Sequence, residues 1–231
     1  MNSFRTRTTG LLLLSFLCLC TGCTPESGNS SSPVLYADVF VRYLFPDQAY
    51  KVQVSFTEGD SLANATPTAI DGAVTFQGKT LELNQLSEQL IRYEWDGQGG
   101  YEPDMMVELN PSGKRSAEVP VSMPAISGIT ISETIQRGQP FRLSVSPAAL
   151  SEDEMLVLLF SDTNNQAASL TIEGPRDLQN LQIPSFDLQK LSPGLGRVYG
   201  VRKKDQQIQI NGMDVRWSVE FYTDEQPVNI Q

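Results

Sequence analysis

The cysteines of this 231-residue chain, Cys18, Cys20 and Cys23, all lie in the segment LCLCTGC near the N-terminus. Closely spaced thiolates are typical of zinc sites and redox pairs. Structural zinc needs four ligands, however, and the chain has no further Cys and no His. The apolar run around Cys18 and Cys20 supplies neither a fourth ligand nor a second half-site. The sequence therefore argues against a metal or redox role for these cysteines.

Residue types that catalyse reactions are also scarce. Nucleophile-and-base catalysis depends on a proton carrier, usually His, beside a Ser, Thr or Cys. The sequence has no GxSxG motif, and GKT at 78–80 lacks the earlier glycine of a phosphate-binding loop. A carboxylate-based glycoside hydrolase needs two acids, but nothing selects a pair among the 27 acidic residues. We therefore expect a protein that is not an enzyme.

The loop YEWDGQGGYEPD, residues 93–104, is the most unusual candidate for a binding site. Asp96, Glu102 and Asp104 offer the hard oxygen ligands that calcium prefers, and the glycines between them would let backbone carbonyls turn inward. Alternatively, these three acidic residues lie on solvated turns and bind no metal. A calcium site at these three carboxylates is thus one hypothesis, and the sequence indicates no other cofactor.

The same loop carries aromatic side chains. Tyr93, Trp95 and Tyr101 would present ring faces for stacking on a sugar. Tyr93 and Trp95 also fit the inward positions of an alternating strand, in which case they belong to the core and the glycines form a long hairpin loop. Both interpretations stay open at the level of the sequence.

Residues 1–22 have the layout of a secretory signal. Arg5 and Arg7 form a basic head, and Leu11–Leu19 is an apolar run broken by Ser15. The run is shorter than the roughly 20 residues of a membrane-spanning helix. We therefore expect residues 1–22 to be removed and the remaining chain to be soluble after export.

Cys23 follows the small residues Thr21 and Gly22. This segment resembles the lipobox of bacterial lipoproteins, in which a small residue precedes the Cys whose thiol receives diacylglycerol. It departs from the usual pattern at Cys20, where the family commonly has Leu. The resemblance implies lipidation of Cys23. The next residue is Thr24 instead of the Asp that favours inner-membrane retention, and this implies the outer membrane. An ordinary cleaved signal would instead leave a free thiol in an oxidising compartment.

The charge of the mature chain limits its partners. Of the 17 basic residues, Arg5 and Arg7 lie in the signal, which leaves 15 basic against 27 acidic side chains and a formal charge of −12. Nucleic acids and anionic lipid surfaces repel such a body. We therefore expect no nucleic-acid partner, and contact with the membrane through the lipid anchor alone.

Residues 23–33 include the Ser-, Gly- and Pro-rich stretch TPESGNSSSP and predict a flexible tether. Beyond it, apolar and polar residues alternate over Val39–Phe45 and again over Tyr50–Phe56. Two adjacent runs of period two predict an antiparallel hairpin with one buried face. Further short runs complete a predicted β-sandwich domain over 34–122.

A second β series predicts another sandwich domain over 123–231. The run MLVLLF, 155–160, is apolar on both faces and predicts a central strand covered on both sides. Asn211-Gly212 supplies the two positive-φ residues of a type I′ hairpin turn, and Val215–Phe221 alternates behind it. Helical patterns are limited to one or two turns each in LNQLSEQL, 83–90, and SPAALSEDEM, 146–155.

The segment LQKLSPGLGRVYGVR, 188–202, places a Leu-x-x-Leu-x-Pro-Gly turn before a strand that contains Tyr199. In this respect it is similar to immunoglobulin-like and fibronectin type III modules, which implies a sandwich rather than a barrel. Together the patterns predict an all-β chain of two tandem antiparallel, immunoglobulin-like β-sandwich domains after a signal peptide and tether.

These observations favour a non-catalytic, membrane-anchored lipoprotein that acts as a structural or protein-interaction module of the cell envelope, facing the periplasm or the surface, with an envelope protein as its partner. A glycan-binding or adhesive accessory lipoprotein, with or without calcium, is the alternative. A carboxylate-based glycoside hydrolase ranks below both. The sequence leaves the oligomeric state open.

Overall fold

The computed structural model describes residues 33–131, 134–184 and 188–231. The predicted signal, Cys23 and the tether up to residue 32 lie outside these ranges. No helix in the described part of the chain is long and apolar enough to span a bilayer.

The described chain is built almost entirely of β-strands, because apolar and polar residues alternate along most of it. In chain order the strands are β1 (Val34–Leu44), β2 (Ala49–Gly59), β3 (Thr66–Thr68), β4 (Gly72–Phe76), β5 (Lys79–Thr80), β6 (Glu82–Ser87), β7 (Leu90–Gln98), β8 (Asp104–Pro111), β9 (Ala117–Ser122), β10 (Gly128–Ile131), β11 (Phe141–Ser146), β12 (Ala149–Leu150), β13 (Glu154–Ser161), β14 (Ala167–Glu173), β15 (Arg176–Asp177), β16 (Leu181–Ile183), β17 (Gly194–Ile210), β18 (Met213–Tyr222) and β19 (Gln226–Ile230). A short 3₁₀ turn, Leu62–Asn64, follows β2.

Ten strands form one large sheet in the order β14-β13-β17-β18-β1-β2-β7-β6, with β3 beside β2 and β19 beside β17. A four-stranded sheet, β5-β4-β8-β9, and a three-stranded sheet, β10-β11-β16, pack against its inner face, and β12 pairs with β15 in a separate two-stranded sheet. Phe76 of the four-stranded sheet has its ring centroid 5.4 Å from that of Tyr50, and Phe141 of the three-stranded sheet lies 6.1 Å from Phe160. The prediction of an all-β, sandwich-type fold is confirmed.

The large sheet contains strands from both predicted domains. β1 pairs in parallel with β18, with Val39 opposite Trp217. The described residues from 33 onward form one compact unit, and their buried apolar side chains make one core. The expected tandem pair, 34–122 and 123–231, is therefore not confirmed, because the shared sheet and core continue across that boundary.

The predicted hairpin near the C-terminus is confirmed. Asn211 and Gly212 have φ angles of 53° and 83°, and Ile210 lies opposite Met213. Both central residues with positive φ give the turn a twist that matches the flanking strands. The side chains predicted to face inward are all buried, and they are Val215, Trp217, Val219 and Phe221.

The predicted helical turns are wrong. Residues 83–90 form β6 and the start of β7, where Leu83 lies opposite Tyr93. Residues 146–155 contain β12 and a turn before β13. Cross-strand pairing outweighs the helical spacing of the leucines, because β6 pairs with β7 at the edge of the large sheet.

β13 lies within the large sheet as predicted, but only one of its faces is buried. Leu156, Leu158 and Phe160 point to the inner face and are buried. Val157 and Leu159 point to the opposite face, called here the outer face, and are partly exposed. The expectation that this strand is covered on both sides is thus wrong for the described residues.

Candidate functional site

A cleft of about 500 Å³ opens at one end of the sandwich, where four connecting segments meet. We call it the aromatic cleft. Its apolar lining comes from Tyr43, Phe45, Tyr101, Ala125, Ile126, Ile129 and Phe221, and its polar lining from Gln48, Ser127, Thr223, Asp224 and Gln226. The volume lies in the range of sites for small molecules or protruding side chains, and a largely apolar lining with few polar groups is typical of such sites.

Aromatic rings form the floor of the aromatic cleft. The centroids of Tyr43 and Phe221 are 5.5 Å apart in a stacked arrangement, and Tyr101 packs edge-on against Phe221 at 4.8 Å. Phe45 lies 5.9 Å from Phe221, yet 45% of its surface stays exposed. A large apolar side chain this exposed, beside a buried aromatic cluster, leaves apolar surface for a ligand to cover.

Hydrogen bonds hold the loops around the cleft in place. The Tyr43 hydroxyl donates to the Gly99 carbonyl at 3.1 Å, and the Tyr101 hydroxyl donates to the Met123 carbonyl at 2.7 Å. The Gly99 amide donates to the Gln48 carbonyl at 2.9 Å, which ties the glycine loop to the β1–β2 turn. Because these contacts join loops that are distant in sequence, the cleft is formed before any ligand binds.

The cleft is close to neutral. Burial raises the pKa of Tyr43 and of Tyr101 above the ordinary value for a phenol, and burial raises the pKa of Tyr50 beneath them to about 12. These hydroxyls therefore stay protonated at physiological pH. Asp224 is the one charged side chain in the described lining. An apolar or aromatic group that carries a donor or a positive charge fits this arrangement.

The three aromatic residues predicted to bind a ligand do not share one surface. Tyr101 lines the aromatic cleft. Tyr93 is a core residue, 5% exposed, whose hydroxyl donates to the Ile70 carbonyl at 2.8 Å. Trp95 is half-buried and folds over Gly97, where an added Cβ would lie 2.1 Å from the indole. Tyr93 thus follows the core alternative, and Tyr101 alone of the three reaches the cleft.

The predicted calcium ligands are not brought together. Asp96 lies on the large sheet beside Lys51. Glu102 accepts a hydrogen bond from Gln77, and Asp104 begins a strand of the four-stranded sheet and accepts one from Ser122 at 2.8 Å. Within the described ranges no group of three His, Cys, Asp or Glu side chains is placed to hold a metal ion. The loop crosses from one sheet layer to the other, which separates the carboxylates.

Most residues of the aromatic cleft are not foreseen from the sequence. The alternation predicts a buried Phe45, but β1 ends at Leu44 and Phe45 begins the turn. Phe221 is predicted to face inward without any indication that a cleft lies above it. A large aromatic residue directly before the Pro46-Asp47 turn is the one local signal that could have marked the site.

No family model matches the chain, and no curated protein sequence matches it. The class of protein is therefore defined by the fold itself, an all-β sandwich-type protein with a ten-stranded sheet.

Proposed function

We propose that this chain is a non-catalytic binding protein, held at the outer membrane by lipid on Cys23, that uses the aromatic cleft to bind a protein partner in the cell envelope. The observation that carries the binding role is Phe45, which remains 45% exposed above the ring of Phe221. The lipobox-like segment before Cys23 supports the anchor. Phe45 and Phe221 would form the apolar centre of the contact.

The form of the cleft favours an inserted side chain over a flat contact. Protein interfaces place most of their binding energy in aromatic or aliphatic anchors that fill pockets. A pre-formed pocket lowers the ordering cost of that contact. The partner therefore inserts an apolar or aromatic side chain into the cleft beside Phe45.

Charge restricts the segment that carries this anchor. Asp224 lies in the lining, and the mature chain has a formal charge of −12. An acidic segment would meet like charge, both at the cleft and at longer range. The proposed partner segment is therefore neutral or basic.

The anchor is tested by intact-mass measurement of the protein extracted from membranes. The expected product lacks residues 1–22 and carries a diacylglyceryl group on Cys23, whereas the Cys23→Ser variant carries no acyl group and keeps residues 1–22. One acyl chain holds a protein weakly and two hold it firmly, so the lipidated protein should stay in the membrane fraction. An unmodified wild-type chain in the soluble fraction would end this part of the proposal.

The cleft is tested in living cells with a photo-crosslinking residue in place of Gln48, and with the same residue in place of Glu118 on β9 as the matched control. We expect a discrete product from position 48 that contains a different protein, and none from position 118. Phe45→Asp should remove the product, because it puts a charge where the anchor binds. Phe45 is half-exposed, so the melting temperature should change little, and this is measured alongside.

Two results would contradict the proposed partner. One is a position 48 product that survives Phe45→Asp. The other is binding to a glycan panel that is lost in Phe45→Asp while no protein product forms, which would assign the cleft to a sugar instead.

A further inference from the structure

The outer face of the large sheet carries a continuous apolar row across its central strands. The row runs from β13 through β17 and β18 to β1, and the cross-strand neighbours are Val157, Val201, Tyr222 and Leu44. Met155 and Leu159 on β13 and Tyr199 on β17 extend it on the same face. Except for the buried Val201, these side chains are partly exposed. The four-stranded and three-stranded sheets pack on the inner face, and the described residues leave the row partly exposed.

An antiparallel sheet that faces water on one side normally has polar side chains on that side. β13 breaks this rule, because residues 155–160 are apolar on both faces. The tether sequence TPESGNSSSP has no large apolar side chain that would cover the row. We propose that a second copy of this chain covers it, and that the protein is a homodimer whose two outer faces pack together.

The charges beside the apolar row support a second copy as the occupant. The next row across the sheet contains, in strand order from β14 to β2, Glu173, Met155, Lys203, Glu220, Arg42 and Lys51. A two-fold axis that runs along the strands between β17 and β18 places Lys203 of one copy against Glu220 of the other. The same axis places Glu173 against Lys51. Each pair occurs twice, as an isologous interface requires.

The same axis makes the apolar row complementary to itself. Val157 of one copy faces Leu44 of the other, and Val201 faces Tyr222. The smaller side chains of β13 and β17 thus oppose the larger ones of β18 and β1. The strands of the two sheets run nearly in line, which is the arrangement of aligned sheet packing.

The size of this surface fits a weak dimer. Strands are about 4.8 Å apart and outward residues about 6.8 Å apart along each strand. Two rows span all six strands, and a third is present on β14, β13 and β17. The patch therefore covers roughly 490 Å² per copy, or roughly 980 Å² in total. This is the size of weak, transient interfaces. We expect a dimer that dissociates on dilution.

The dimer is tested by sedimentation velocity on the full-length protein in detergent over a range of concentrations. The wild type should shift from monomer to dimer, and Val157→Lys should stay monomeric, because it places a charge in the apolar row. Glu118→Lys, on the exposed side of β9, is the matched control and should dimerise like the wild type. Thermal melting shows that each variant is folded.

Charge reversal distinguishes the proposed axis from other ways of pairing. Glu173→Lys and Lys51→Glu should each raise the dimer dissociation constant roughly tenfold, since each change affects two symmetric contacts. The double variant should restore it. Glu173 and Lys51 lie five strands apart in one copy, roughly 24 Å, so restoration requires contact between copies.

A wild type that stays monomeric at every concentration, or a dimer that Val157→Lys does not weaken, would overturn the inference. So would single reversals that weaken the dimer without restoration in the double variant. The dimer and the aromatic cleft are tested separately. Sequencing the product crosslinked at position 48 shows whether the bound chain is a different protein or a second copy.

Discussion

Glu154→Leu is expected to destabilise the fold by about 3–5 kcal/mol, because it removes one partner of a buried ion pair. Glu154 and Arg202 form an ion pair at 2.6 Å, with 3% and 2% of their side chains exposed. Arg202 also donates to the Ala149 carbonyl at 2.8 Å, and Glu154 accepts from the Ser151 amide at 2.9 Å. Without Glu154, a buried guanidinium has no counter-charge.

The double variant Glu154→Leu/Arg202→Met is the matched control. It removes both charges and keeps apolar volume, so it should recover most of the lost stability. Two nitrogens of Arg202, Nε and Nη1, have no hydrogen-bond partner in the described structure, which makes the native arrangement easier to replace. The free energy of unfolding in urea measures both variants. A loss below about 1 kcal/mol in Glu154→Leu would show that the pair is not desolvated as the structure indicates.

Trp217→Ala is expected to cost about 3–5 kcal/mol, because it leaves a large cavity in the core. Trp217 is 2% exposed and lies between Gln206 on β17 and Val39 on β1. It therefore lies where strands from the N-terminal and C-terminal parts of the chain meet. In the Trp217→Ala variant, backbone amides should lose protection from hydrogen exchange in β1 and β2 as well as in β13 and β17.

Trp217→Phe is the conservative comparison. The indole Nε1 is buried without a partner, so its removal offsets part of the lost packing. We expect less than half the cost of Trp217→Ala. If the alanine variant lost protection in β13 and β17 alone, then residues 34–122 would fold independently, and the single core described above would be wrong.

Local features of this fold could be predicted from the sequence. Asn211-Gly212 determines its turn because two adjacent residues must adopt positive φ. The alternation from Tyr50 to Phe56 identifies a buried face because the period of a strand is two. These signals act within a few residues, and they needed no knowledge of the rest of the chain.

Features that depend on distant segments could not be predicted. The pairing of Val39 with Trp217 joins strands that are far apart in sequence, and any alternating strand would have been an equally good partner. The aromatic cleft has the same origin, since Phe45, Tyr101 and Phe221 come from three separate parts of the chain. The exposed leucines of β6 are a different case. Their spacing predicts a helix, but pairing with β7 makes the segment a strand.

The place of β1 in the large sheet determines how the protein resists force. Any tension on the chain before Val34 enters the fold along β1, which pairs with β2 from Val34 to Leu44 and with β18 from Tyr36 to Leu44. The ladder hydrogen bonds lie across the strand direction. A pull along β1 therefore loads both ladders in shear, and many bonds must break together instead of opening one at a time. Tension that enters through β1 is thus resisted by both ladders at once.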